Sequence, residues 1–124
     1  MPEDIDYREK SGMPKQVIIF RSHLRSDVDL AELEAAGVRM YEIVSAMPGF
    51  LSSRIYGGKS GESVNIVEFE SEETLLAWRD HPEHQEIQER GRQKFFTEYH
   101  MDVCDSQRAY RFSTTEGRVE GSSN

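Results

Sequence analysis

The stretch Phe50–Thr74, FLSSRIYGGKSGESVNIVEFESEET, alternates apolar and polar residues on both sides of a glycine-rich centre. Phe50 to Tyr56 and Ser63 to Glu70 read as two strands, because side chains two apart share one sheet face. Gly57-Gly-Lys-Ser-Gly61 between them supplies a hairpin loop. Ser71 and the acidic pair Glu72–Glu73 then open a helix: the hydroxyl accepts free backbone N–H groups, and carboxylates favour the positive end of a helix dipole. A hairpin that runs straight into a helix is half of an α+β domain.

The flanking sequence supplies the other half. Upstream, Met47-Pro48-Gly49-Phe50 turns the chain out of a helix whose apolar stripe is Leu30, Leu33, Met40, Val44 and Met47. Ser26 or Asp27 is the expected cap of that helix. Gly37 lies mid-stripe, where glycine lowers helix propensity by about 1 kcal/mol, and close packing against a sheet is expected there. Before it, Gln16-Val-Ile-Ile-Phe20 is a β-branched apolar run that reads as a buried strand continuing to His23. Downstream, the helix begun at Ser71 carries Leu75, Leu76 and Trp78. Pro82 disfavours helical geometry at His81 and suits the first turn of a new helix, so a break is expected near Asp80–His81 and a further helix over Pro82–Thr97. Strand material follows from Tyr99 to Phe112, kinked near Asp105-Ser106.

The order β-α-β-β-α-(α)-β in one domain predicts an α+β, ferredoxin-like protomer: a four-stranded antiparallel sheet with helices on one face. The strands hold too many apolar residues for the other face to stay wet, and a second copy of the chain, a homodimer, is its simplest cover. The predicted domain is 15–112. Residues 1–14 read as a flexible N-terminal segment ending in a breaker cluster, and 113–124, STTEGRVEGSSN, as a disordered tail with too few apolar groups to offset ordering.

Composition narrows the function classes. Of 124 residues, 36% are hydrophobic and 31% charged, and the net charge of −8 opposes nucleic-acid binding. No apolar run has the length of a membrane span, and MPEDIDYREK is too polar for a signal peptide. The single cysteine, Cys104, leaves no intrachain disulfide and no cysteine-based zinc site. A soluble protein of a reducing cytoplasm is expected.

Met47-Pro-Gly-Phe-Leu51, the hairpin, Val64–Glu70 leading into Ser71-Glu-Glu-Thr-Leu75, and Trp78 followed by His81-Pro-Glu-His84 and Gly91-Arg92 resemble the antibiotic biosynthesis monooxygenase-like proteins over roughly residues 15–112. The resemblance implies a dimeric α+β barrel in which two sheets face each other. Its superfamily includes oxygenases that use neither metal nor flavin, haem-degrading enzymes, autoinducer-processing enzymes and members without assigned activity, so the fold leaves the reaction open.

"WRDHPEHQEIQERGR", Trp78–Arg92, holds two of the four histidines. His81 and His84 have helical spacing for a shared metal, but His81 precedes Pro82 and falls outside the helix. No metal is expected. In haem-degrading relatives the axial histidine lies ten positions beyond the helix Trp, which here is Gln88, a poor iron ligand. The remaining reading needs no cofactor: a small aromatic or quinol-type substrate is deprotonated and its anion reduces O2. His84 is then the base, and Trp78 offers a flat surface and an N–H for an oxyanion. Asn65 and Tyr56 are the candidates to hold substrate oxygens, and Phe69 to pack on the ring, if their faces turn inward; a slip of one residue exchanges the set. Each has a plainer alternative: Trp78 as a helix anchor, His84 as a first-turn residue bonded to a neighbouring carboxylate, Asn65 as an interface hydrogen bond. A non-catalytic ligand-binding or stress-related barrel is the competing class.

Overall fold

The computed structural model describes residues 14–120. Strand β1 (Gln16–Leu24) leads to helix α1 (Leu30–Val44), the hairpin β2 (Phe50–Gly57) and β3 (Glu62–Phe69), helices α2 (Glu72–Arg79) and α3 (Pro82–Arg90), and β4 (Phe96–Asp105). Strand order is β2-β3-β1-β4, antiparallel at every pairing. This is the predicted ferredoxin-like arrangement.

Register decides which residues meet the helices. Ile18 pairs with Val67 and Gln16 with Phe69, so these four share a face. Ile18, Val67 and Phe69 pack there against Ile43 and Val44 of α1 and Leu75 and Trp78 of α2. Phe69, 0% exposed, is the centre of this core; burying one such side chain is worth about 1.5–3 kcal/mol. A second cluster, Ala36, Ile87 and Phe95, fastens α1 to α3 and the turn beyond it. The opposite face, with Val17, Ile19, Val64 and Ile66, carries no helix and leaves these residues half-buried.

The link between α1 and β2 depends on Gly49. Its φ of +79° is left-handed, and a Cβ there would lie 2.5 Å from the Thr74 side chain. The turn therefore closes directly against the start of α2, where Ser71 caps the helix through Thr74 N at 3.2 Å.

Several expectations are corrected. Asp29, not Ser26 or Asp27, caps α1, accepting from Ala31 N and Glu32 N at 3.0 and 3.1 Å. Leu30, at the head of the expected stripe, is 67% exposed; Val44 of that stripe is buried as expected, and Ala36 and Ile43, outside it, are buried with it. Gly37 is exposed with open space around it, so sheet packing does not explain it. The helix begun at Pro82 ends at Arg90. Residues Gly91–Phe95 form one π-helical turn, and Phe96 already pairs with Leu24 of β1. Gln93 and Lys94 stay in that helical turn, and sheet pairing takes over only from Phe96, short of the expected end at Thr97. At the C-terminal side, Tyr110–Ser113 (β5) and Gly117–Glu120 (β6) form a separate two-stranded hairpin, where the sequence reads as a tail from 113. Local bonds hold it: Ser113 Oγ accepts from Glu116 N at 2.8 Å and Arg111 forks onto Glu116. The rest of the expected terminal segments, 1–13 and 121–124, lies outside the described residues.

Candidate active site: a stacked tryptophan and histidine

The junction between α2 and α3 builds the site in seven residues. Asp80 ends α2, and His81 is extended at φ −64°, ψ 125°, as a residue before proline must be. His81 caps α3, its Nδ1 accepting from Glu83 N at 3.1 Å. Arg39 of α1 forks onto Glu83 and braces that first turn. His84 is thereby turned back over α2: its ring lies on the Trp78 indole at 3.7 Å between centroids, 6° from parallel.

A hydrogen bond fixes the chemistry of that imidazole. His84 Nδ1 lies 2.9 Å from the Trp78 carbonyl oxygen, which can only accept, so Nδ1 carries the proton. In the neutral ring Nε2 is then an acceptor, and it has no hydrogen-bond partner among the described residues; neither has the indole N–H of Trp78. His84 is 7% exposed, and this burial holds its pKa below the ordinary histidine value; the carbonyl bond opposes the shift and the nearby His81 adds to it. A neutral imidazole with a free Nε2 is a proton acceptor ready at neutral pH.

The site differs from the sequence reading in three ways. One face of Trp78 is covered by His84 and the residue is 5% exposed within the core, so it offers no broad platform for an aromatic ring. Phe69 is wholly enclosed and has no surface for a substrate. Tyr56 pairs with Val64 and so stands on the helix-free face, opposite Asn65 and Phe69. The cause is a bulge between Phe50 and Ser52: Phe50 stays with Phe69, their rings 6.1 Å apart, while Ser52, Arg54 and Tyr56 cross to the other face.

Asn65 keeps its place. It is half-buried on the helix side, and its Oδ1 accepts from Ser53 Oγ at 3.3 Å, leaving its amide N–H groups without a partner among the described residues. The register adds neighbours that the sequence reading missed: Ile55, Asn65, Phe20 and Met101 form one row across all four strands. Phe20 packs against Tyr99 and Phe96, with ring centroids 5.0 and 5.6 Å away. Strand alternation marks Phe20 as facing the side of Ile18, but the pairing that sets it beside Asn65 requires the register. A separate concavity of about 430 Å³ between α1 and α3 is lined by Glu32, Glu86, Glu89, Arg90, Gln93 and Lys94. Its cations are paired within it, Arg90 with Glu86 and Lys94 with Glu32. Among the described residues no three potential ligands group to hold a metal.

The family model of antibiotic biosynthesis monooxygenases matches residues 17–90, from β1 through α3. The chain belongs to this family. YqjZ of Bacillus subtilis (strain 168), an uncharacterised protein, is 27% identical over 114 residues, covering 90% of this chain and 99% of its own length. Solved structures show the same monooxygenase-family fold at lower identity. SnoaB, a cofactor-independent oxygenase from Streptomyces nogalater, superposes with a TM-score of 0.65 at 14% identity, over 83% of this chain and 99% of SnoaB. Rv0793 from Mycobacterium tuberculosis gives 0.66 at 22%, over 74% and 94%. No described helix of this family member is long and apolar enough to cross a membrane.

Proposed function

We propose that the protein is a homodimeric, cytoplasmic, cofactor-independent monooxygenase that oxidises a small aromatic or quinol-type substrate with O2. The observation that carries this reading is the Nδ1–H bond from His84 to the Trp78 carbonyl, which leaves Nε2 as a base in a buried, neutral ring. Nε2 takes the phenolic proton. The electron-rich anion passes an electron to O2, and the two radicals join in a carbon–oxygen bond. Loss of water from the resulting peroxide closes the balance: a hydroquinone plus O2 becomes a hydroxyquinone plus water. The substrate supplies all four electrons. The Trp78 N–H and the Asn65 amide are the donors for substrate oxygens, and Phe20, Ile55 and Met101 are the apolar floor beside Asn65. SnoaB, with the same fold, is described as a cofactor-independent oxygenase, which supports the reaction class.

A second copy on the helix-free face would cover Val17, Ile19, Val64 and Ile66 and give the dimer. One observation favours the competing reading of a non-catalytic barrel: Trp78 and His84 are almost fully enclosed, as core residues are. Oxygen consumption with a panel of hydroquinones and anthrones separates the two. Turnover that disappears in His84→Ala supports the oxygenase, and binding of such compounds without oxygen uptake supports the barrel.

A further inference from the structure

Trp78 and His84 are 5% and 7% exposed, so a substrate that is to meet His84 Nε2 needs a way in. The helix that carries His84 is lightly anchored. Of the nine residues of α3, Ile87 is the one buried apolar side chain, and seven others are half-buried or exposed. Helix α2, one residue shorter, seats both Leu75 and Trp78 in the main core. Each end of α3 is a backbone break. His81 is extended before Pro82, and Gly91–Phe95 follow as a π-helical turn with no side-chain cap, a rare form that recurs at functional sites. Toward α1 the helix is held by the contact of Ile87 with Ala36 and by two surface ion pairs. Arg39 Nη2 meets Glu83 Oε1 at 2.9 Å at its head, and Lys94 Nζ meets Glu32 Oε2 at 3.4 Å past its tail. The open concavity already described lies between the same two helices. Two bonds tie α3 to the end of α2: His84 Nδ1 to the Trp78 carbonyl, and Gln85 Nε2 to the Arg79 carbonyl at 3.2 Å. The pair Arg90–Glu86 lies within α3 and would travel with it.

We propose that α3 is a flap: it swings on His81 and the Gly91–Phe95 turn, lifts His84 off the Trp78 indole to admit a ligand, and closes again with Arg39–Glu83 as its latch. Opening gives up the burial of Ile87, two hydrogen bonds to α2 and ion pairs that water replaces, while the sheet and the main core stay intact. Elements with so few buried apolar contacts open locally, below the free energy of global unfolding, and lids of this kind move in microseconds to milliseconds. Both partners of the latch are well exposed, so salt screens it. This inference rests on the reading of His84 as a base that a substrate must reach, and it adds how that enclosed base is reached.

The test is amide hydrogen exchange of the full chain, followed by mass spectrometry in low and high NaCl, for the natural protein, Arg39→Gln, Glu83→Gln and the reversed pair Arg39→Glu with Glu83→Arg. A detached nine-residue helix does not hold in water, so each opening exposes the amides of Gln85–Arg90. The flap requires these amides to exchange roughly tenfold faster than those of β1 and β3, or more, relative to their unfolded rates. Either single variant should speed them by a further factor of about two to five at low salt, as loss of an exposed ion pair does. High salt should bring the natural protein toward the same rate, and the reversed pair should restore the slow one. The rates in β1 and β3 should not move. Exchange of α3 only together with the sheet overturns the flap. Unchanged α3 rates in both single variants, or faster exchange everywhere alike, overturn the latch, since the pair is then idle or merely structural. Oxygen uptake is scored separately: a flap that opens in a protein without turnover leaves the flap and removes the oxygenase reading, whereas turnover with α3 closed removes the flap alone.

Discussion

The imidazole of His84 lies parallel to the indole of Trp78 at 3.7 Å and donates from Nδ1 to the carbonyl of the same residue. Ring and backbone of one residue thus fix both the plane and the tautomer of another. The arrangement follows from the junction: an extended His81 before Pro82 folds α3 back so that its first turn meets the last turn of α2. The pair serves packing and chemistry together, and substitutions separate these roles.

Trp78→Ala removes the largest side chain of the main core cluster and uncovers one face of His84. The expected cost is about 3–5 kcal/mol, as for other buried Trp or Phe truncations. Chemical denaturation measures it; a loss below about 1 kcal/mol would mean that the indole is not the anchor its burial indicates.

The depressed pKa of His84 links stability to pH. The unfolded chain takes up a proton near the ordinary value of about 6.5, while burial makes the folded chain refuse it until lower pH. Its contribution is therefore complete above about pH 6.5 and is lost as pH falls through the folded-state pKa. Melting temperatures between pH 7 and 5 should fall less steeply in His84→Gln than in the natural protein. Parallel profiles would show that His84 is not held neutral by the fold.

Gly49→Ala places a methyl group 2.5 Å from Thr74 at a φ of +79°. Because clash and strain act together, the loss should exceed about 1 kcal/mol. Gly37→Ala, with open space at its Cβ and a helical backbone, should instead stabilise by roughly 0.5–1 kcal/mol. Thermal unfolding of the two variants tests the turn and the helix separately; shifts of the same sign would contradict one of these readings.

Periodicity and breakers were enough to read the order of elements, because Pro82, Gly49 and the Gly57–Gly61 loop act through local backbone preferences. The sheet–helix core was partly legible for the same reason: Val44 belongs to the apolar stripe read from its spacing and lies in the core, whereas Phe69, read as a substrate contact, proves to be the centre of that core. The site was less legible. Its two central residues, Trp78 and His84, were visible as rare side chains flanking a helix break, but their stacking is a tertiary fact. Tyr56 was misplaced because a bulge leaves no mark in the alternation around Leu51, and one inserted residue reverses every side chain after it. The hairpin at 110–120 was missed because its bonds are polar and local, whereas the tail was judged on its scarcity of aliphatic residues.

The most direct test of the central claim is oxygen uptake with a hydroquinone or anthrone substrate, in the natural protein and in His84→Ala, alongside the dimer mass and melting temperature of each. The account predicts turnover that rises with pH to a plateau, with a midpoint below about 6.5, as a depressed His84 pKa requires. It also predicts loss of turnover in His84→Ala while the variant stays folded and dimeric. Undiminished turnover in a folded His84→Ala protein would contradict His84 as the base.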